Sequence, residues 1–107
     1  MAKLPNRVTE TEVGIGILQV AAASPDGIAT FYRLKREIPK YLKLSPGDKV
    51  QSTTRPNEEM WEQQIRNIKS HSDSEGNIIC EGYAKHLKRR GYQITDSGRR
   101  LLKRRGL

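Results

Sequence analysis

The run YAKHLKRRGYQIT, residues 83–95, limits what this chain can become more than any other stretch. Two short segments of alternating residues, YAKHL and YQIT, are joined by KRRG, the pattern of a β-hairpin. The alternation puts Tyr83, Lys85 and Leu87 on one face of the first strand and Tyr92 and Ile94 on one face of the second, with Lys88, Arg89 and Arg90 at the tip. Most of the remaining apolar residues recur with a helical period. A mixed α+β domain, mainly helical, is therefore expected.

The helices can be placed from local signals. Thr9 followed by Glu12 has the form of a capping box, and Val13, Ile17, Val20 and Ala21 then share one helix face. Gly14 and Gly16 weaken that helix by up to about 1 kcal/mol each relative to Ala. SPDG at 24–27 ends it, and a short extended piece, Ile28 to Thr30, follows. Leu34, Ile38, Tyr41 and Leu42 define a second helix, but Pro39 withholds the donor for the Lys35 carbonyl. A helix to about Ile38 and a kinked or separate turn to Leu44 are expected.

The polar loop from Ser45 to Asn57 is long for a small domain and reads as mobile or functional. Asn57 suits the N-cap of the next helix, Glu58 to about Ser70, in which Glu58 and Glu59 sit at the positive end of the dipole and Trp61, Ile65 and Ile68 form the apolar stripe. NIICEG reads as one more helical turn closed by Gly82. After the hairpin, Thr95 or Asp96 caps a last helix whose Leu101 and Leu102 face inward. Residues 1–8 and 105–107 read as flexible ends of a single domain, 9–104.

Composition restricts the setting. At 107 residues and 35% hydrophobic content there is room for one modest core. Cys80 is the sole cysteine, so no internal disulfide can form, and a reducing compartment fits. The N-terminal residues lack the apolar centre of a secretory signal, and no apolar run reaches membrane-spanning length. A cytoplasmic protein is expected.

Charge is distributed unevenly. Residues 1–84 hold 11 Lys and Arg against 11 Asp and Glu, whereas residues 85–107 hold nine against one. The whole excess of +8 sits in the last quarter of the chain, which points to a polyanionic partner.

At RPNEEMWEQQIRN, GNIICEGY and GYQITDSGRRLL the sequence resembles the winged-helix domain found at the N-terminus of Mrr-type restriction endonucleases and in related stand-alone proteins. The resemblance covers roughly residues 10–104 and is strongest from Arg55 to Leu102. It implies a winged helix-turn-helix: a three-helix core, a short first strand, a β-hairpin wing and a C-terminal helix. It also makes the helix from Glu58 to about Ser70 the recognition helix and the hairpin from Tyr83 to Thr95 the wing. In the restriction enzymes this module binds DNA and a separate nuclease domain cuts it. No such second domain is expected in these 107 residues.

The candidate DNA-contacting residues follow. On the wing they are Lys85, Lys88, Arg89 and Arg90, and on the recognition helix Gln63, Arg66, Asn67 and Ser70, whose amide and guanidinium groups suit base edges. Arg99 and Arg100 would flank them. Three acids at the start of the recognition helix, Glu58, Glu59 and Glu62, count against its docking on DNA. Tyr83 and Tyr92 read as cross-strand packing residues, and Trp61 as core.

Catalysis is not expected. No Glu or Gln is followed two positions later by Lys, as a nuclease of that class requires, and His71, His86 and Cys80 lack zinc-finger spacing. No cofactor or metal is implied. The expected partner is double-stranded DNA, with a homodimer or a separately encoded enzyme as further partners. Protein interaction through the apolar first helix, or binding of structured RNA, are the alternatives.

Overall fold

In a computed structural model describing residues 7–107, the first helix, α1 (Glu10–Ala22), begins at the expected reciprocal cap. The Thr9 hydroxyl accepts the Glu12 N–H at 3.1 Å, and the Glu12 carboxylate accepts the Thr9 N–H at 2.9 Å. Val13, Ile17, Leu18, Val20 and Ala21 are buried along α1, which makes it the central helix of the core. Its glycines are points of close approach. A Cβ on Gly14 would lie 2.8 Å from Ile78 Cγ2, and one on Gly16 would lie 3.0 Å from Ile38 Cδ1. The propensity lost there lets two isoleucines pack directly on the helix backbone.

A turn at 24–27 leads into β1 (Ile28–Thr30), and Thr30 caps α2 (Phe31–Tyr41) by accepting the Arg33 N–H at 3.1 Å. The break expected near Ile38 does not occur. α2 runs through Pro39, and the Leu42 N–H still bonds the Ile38 carbonyl at 3.0 Å. Pro39 removes a single donor in the last turn, while Leu34 and Ile38 are fully buried and anchor the helix. Tyr41, expected on the packed face, is 39% exposed.

Polar groups organise the connection to α3 (Met60–Ser70). The fully buried Asp48 accepts the Ser45 N–H at 2.8 Å, the Ser45 hydroxyl at 3.1 Å and the Val8 N–H at 3.0 Å. Val8, which the sequence leaves in an untethered N-terminal segment, is therefore bound to the core; residues 1–6 of that segment lie outside the described residues. Ser52 N–H bonds the Glu58 carbonyl at 2.8 Å, and Met60 N–H bonds the Val50 carbonyl at 2.8 Å, so the loop folds back on itself. Glu58 thus lies before the helix. Glu59 becomes the N-cap of α3, its N–H donated to the Glu62 carboxylate at 2.8 Å, and Asn57 sits outside the helix with φ 69°.

Beyond α3, the buried Asn77 donates to the Ile68 carbonyl at 2.9 Å and accepts the Ile79 N–H at 2.8 Å, building the expected single turn that ends at Gly82. β2 (Ala84–Leu87) and β3 (Gly91–Ile94) form the hairpin, and β1 pairs with the other edge of β3, giving an antiparallel sheet of order β1-β3-β2. Alternation in β2 leaves Ala84 and His86 on the inward face. Ala84 lies opposite Ile94 and His86 opposite Tyr92, while Lys85 points outward. Tyr92 therefore packs edge-on against His86 and Phe31, at 5.6 and 5.7 Å between ring centres, and not against Tyr83.

α4 (Asp96–Arg104) starts at Thr95, whose hydroxyl accepts the Gly98 N–H at 3.1 Å, and buries Leu102. Residues 105–107, expected to be flexible, close it: Gly106, at φ 73°, donates to the Lys103 carbonyl and Leu107 to the Leu102 carbonyl. Among the described residues the architecture is thus a small α+β domain of four helices and one three-stranded antiparallel sheet.

Candidate nucleic-acid interface

The hairpin turn is made by three exposed residues, Lys88, Arg89 and Arg90, between the ends of β2 and β3. The Arg90 N–H closes it on the Leu87 carbonyl at 2.9 Å, and Arg89 adopts a left-handed conformation with φ 64°. Ion pairs among the described residues use Lys35, Arg36, Lys40, Arg66 and His71 as the basic partner. Among the described residues, Lys85, Lys88, Arg89 and Arg90 pair with no acid. Exposed cations without an internal partner create a positive field directed at solvent.

The turn is joined to α3 through packed rings. Phe31 N–H bonds the Arg90 carbonyl at 3.0 Å, so the start of α2 lies against the hairpin turn. The Phe31 ring meets Tyr92 on one side and the Arg66 guanidinium, 5.1 Å from its centre, on the other. Tyr92 is fully buried and donates its hydroxyl to the Ile65 carbonyl at 2.6 Å; burial pushes its pKa up to about 12, so it stays a donor. His86 is held below its ordinary pKa by burial, and secondarily by the charge of Lys69 at the end of α3. The positive charge of this region therefore comes from lysine and arginine and is constant around neutral pH.

The outward strip of α3 divides into two kinds of residue. Asn67 and Ser70 make no side-chain hydrogen bond among the described residues, and Ser70 is exposed. Gln63 and Arg66 are engaged internally. Gln63 accepts the Ser52 hydroxyl at 2.6 Å, and Arg66 donates Nε and Nη2 to the Glu58 carboxylate at 3.0–3.2 Å.

The same contacts dispose of the acids that the sequence sets against docking. Glu58 is 6% exposed and also receives Lys35 Nζ at 2.6 Å. Glu62 lies 3.9 Å from that same Lys35 nitrogen, and the Glu59 carboxylate accepts Trp61 Nε1 at 2.8 Å. Glu58 and Glu62 thus face Lys35, and Glu59 is held by a hydrogen bond from the neutral Trp61 indole. Hydrogen bonds from Arg66 lower the Glu58 pKa to about 2, with Lys35 adding to the effect and burial opposing it.

A depressed carboxylate contributes stability that is complete above its unfolded value, near 4.5, and is lost as the pH falls toward 2. Glu58→Gln should remove that contribution. The melting temperatures of the variant and the parent chain are expected to converge as the pH is lowered across this window, by an amount equivalent to about 3 kcal/mol. Parallel melting profiles for the two chains would contradict the pairing of Glu58 with Arg66 and Lys35.

Arg99 and Arg100, expected to flank the wing, are exposed on α4. A Cβ on Gly27 would lie 3.0 Å from Arg99 Nη2, which places Arg99 beside the strand end at Ile94, roughly 10 Å along β3 from Gly91. Arg100 donates to the Ser97 hydroxyl at 3.0 Å. Sequence reasoning missed three residues near the turn. Lys69 borders His86, Phe31 bridges α2 to the hairpin, and Tyr32, 75% exposed, lies under the Arg36 guanidinium at 5.5 Å. The four-residue spacing of Tyr32 and Arg36 on a helix was the available signal.

Among the described residues no three His, Cys, Asp or Glu side chains gather to hold a metal ion, and no helix is long and apolar enough to cross a membrane. Comparison of the chain with protein families, curated proteins and solved structures finds no match.

Proposed function

We propose that this chain is a non-catalytic module that binds double-stranded DNA as a winged helix. In this reading α1, α2 and α3 are the three-helix core, α3 is the recognition helix and the β2–β3 hairpin is the wing. The observation that carries it is the hairpin turn, where Lys88, Arg89 and Arg90 stand unopposed beside a helix whose acids are all internally engaged. Phosphate contacts by the turn position the duplex, and the free side chains of Asn67 and Ser70 face its groove. A cytoplasmic regulator, or the targeting partner of a separately encoded enzyme, is the role that fits such a module.

Two alternatives are weaker. The apolar face of α1 that dimerisation would use is buried within the chain, through Val13, Ile17, Leu18 and Val20. Structured RNA has a deep, narrow major groove that a helix does not enter, so binding there would fall to the wing alone.

Salt dependence tests the proposal. If about six cations meet phosphates, affinity for a random-sequence duplex falls roughly a thousandfold between 50 and 200 mM salt. A flat response would remove the electrostatic mechanism, and preference for an RNA duplex in competition would transfer it to RNA.

A further inference from the structure

Arg66 is more than a half-exposed member of an ion pair. Its guanidinium is fixed from two directions, by the Glu58 carboxylate at its Nε–Nη2 edge and by the Phe31 ring 5.1 Å from Cζ. Phe31 is in turn held by Tyr92 and by its N–H bond to Arg90. Nη1 makes no hydrogen bond among the described residues, yet no buried side-chain nitrogen or oxygen lacks a partner, so Nη1 faces solvent. The Nη1–Nη2 edge of the fork thus remains open while the opposite edge is clamped.

The clamp leaves the fork in place without occupying its free edge. Glu58 is buried and shared with Lys35 at 2.6 Å, and that lysine also lies 3.9 Å from Glu62, so the carboxylates are turned to Lys35 and to the Nε–Nη2 edge. A rigid planar fork with a free edge matches a rigid pair of acceptors. In duplex DNA that pair is the O6 and N7 edge of guanine in the major groove.

Resting on the duplex-DNA reading, the geometry points to Arg66 as a pre-oriented reader of guanine, with Glu58 as the residue that positions it. Holding the side chain in place before binding removes the entropy cost that a free arginine would meet on docking. Lysine at the same site can keep the charge and the attraction to Glu58 but offers no bidentate edge.

The test uses a pool of random-sequence duplexes, with the bound fraction sequenced for the parent chain, Arg66→Lys and Glu58→Gln. The parent should enrich guanine at one position by about tenfold or more, and 7-deazaguanine placed there should weaken binding by a similar factor. Arg66→Lys should abolish the enrichment. Glu58→Gln should reduce the enrichment in the same way. Should that variant fold poorly, Arg66→Lys, whose side chain is at the surface, decides the question alone. Salt-sensitive binding without guanine enrichment, or equal enrichment in Arg66→Lys, overturns the inference and leaves duplex binding intact. Absence of any binding to the pool overturns both.

Discussion

Replacing Lys88, Arg89 and Arg90 together by glutamate is expected to weaken binding to a random duplex by about a thousandfold at 50 mM salt and to flatten the salt slope by about 2.7. The size follows from counterion release. Each phosphate contact contributes roughly −0.9 to the slope, and three of them extrapolated from 1 M to 50 mM multiply to about three orders of magnitude. The fold should hardly notice. The three side chains are exposed and pair with no acid among the described residues, so the change in stability should stay within about 0.5 kcal/mol. Fluorescence anisotropy over a salt series, with a thermal melt as control, reads both quantities. Unchanged affinity in the variant would show that the turn does not touch the duplex.

Gly91→Ala should have the opposite profile, with a large loss of stability. Gly91 has φ 151°, which L side chains rarely adopt, and an added Cβ would lie 2.0 Å from the Ala29 carbonyl oxygen and 2.9 Å from Thr30 Cα. Both obstacles are backbone of the adjacent strand, paired through Thr30↔Gly91 and Ala29↔Tyr92, so relief requires β1 to leave β3. A cost of about 3 kcal/mol or more is expected, a large share of the stability of a small domain, with a fall in melting temperature of at least about 12 °C. Gly76→Ala supplies the comparison. Its φ is 87° and nothing lies within 4 Å of the added atom, so only the conformational strain of about 1 kcal/mol should appear. Equal melting temperatures for the two variants would contradict the close approach of β1 and β3.

Local chemistry was legible in the sequence because its partners are close along the chain. The Thr9–Glu12 cap, the turn before β1, the Thr95 cap and the hairpin all depend on residues within a few positions of one another. The features that the sequence hid are long-range. Nothing near Asp48 announces that it will hold Val8, 40 residues away, and nothing near Glu58 announces Lys35 and Arg66 as its partners. That is why a loop that reads as mobile or functional from its length alone is a folded polar structure, and why α3 starts later than its charges suggest.

The hairpin face illustrates a different limit. In YAKHL the two largest apolar residues, Tyr83 and Leu87, share a parity with Lys85, so alternation alone groups them on one face without saying which face is inward. Register is set instead by the opposite strand. Tyr92 and Ile94 must be inward, their direct partners are His86 and Ala84, and the small Ala84 is the residue that becomes fully buried there. For the candidate interface, the sequence located the hairpin cations and set Arg99 on their flank, and the fold shows which flank: Arg99 lies beside the Ile94 end of β3, away from the turn.

The central claim, that the hairpin turn and the outward strip of α3 form one DNA-binding face, is tested most directly by NMR. A labelled chain would be titrated with a short random-sequence duplex at low and at high salt. Salt-sensitive shifts confined to residues 66–70 and 85–91, with the Arg66 side-chain Nε–H among them, are the predicted result. Shifts absent from the hairpin turn, or confined to α1 and its surroundings, would contradict it.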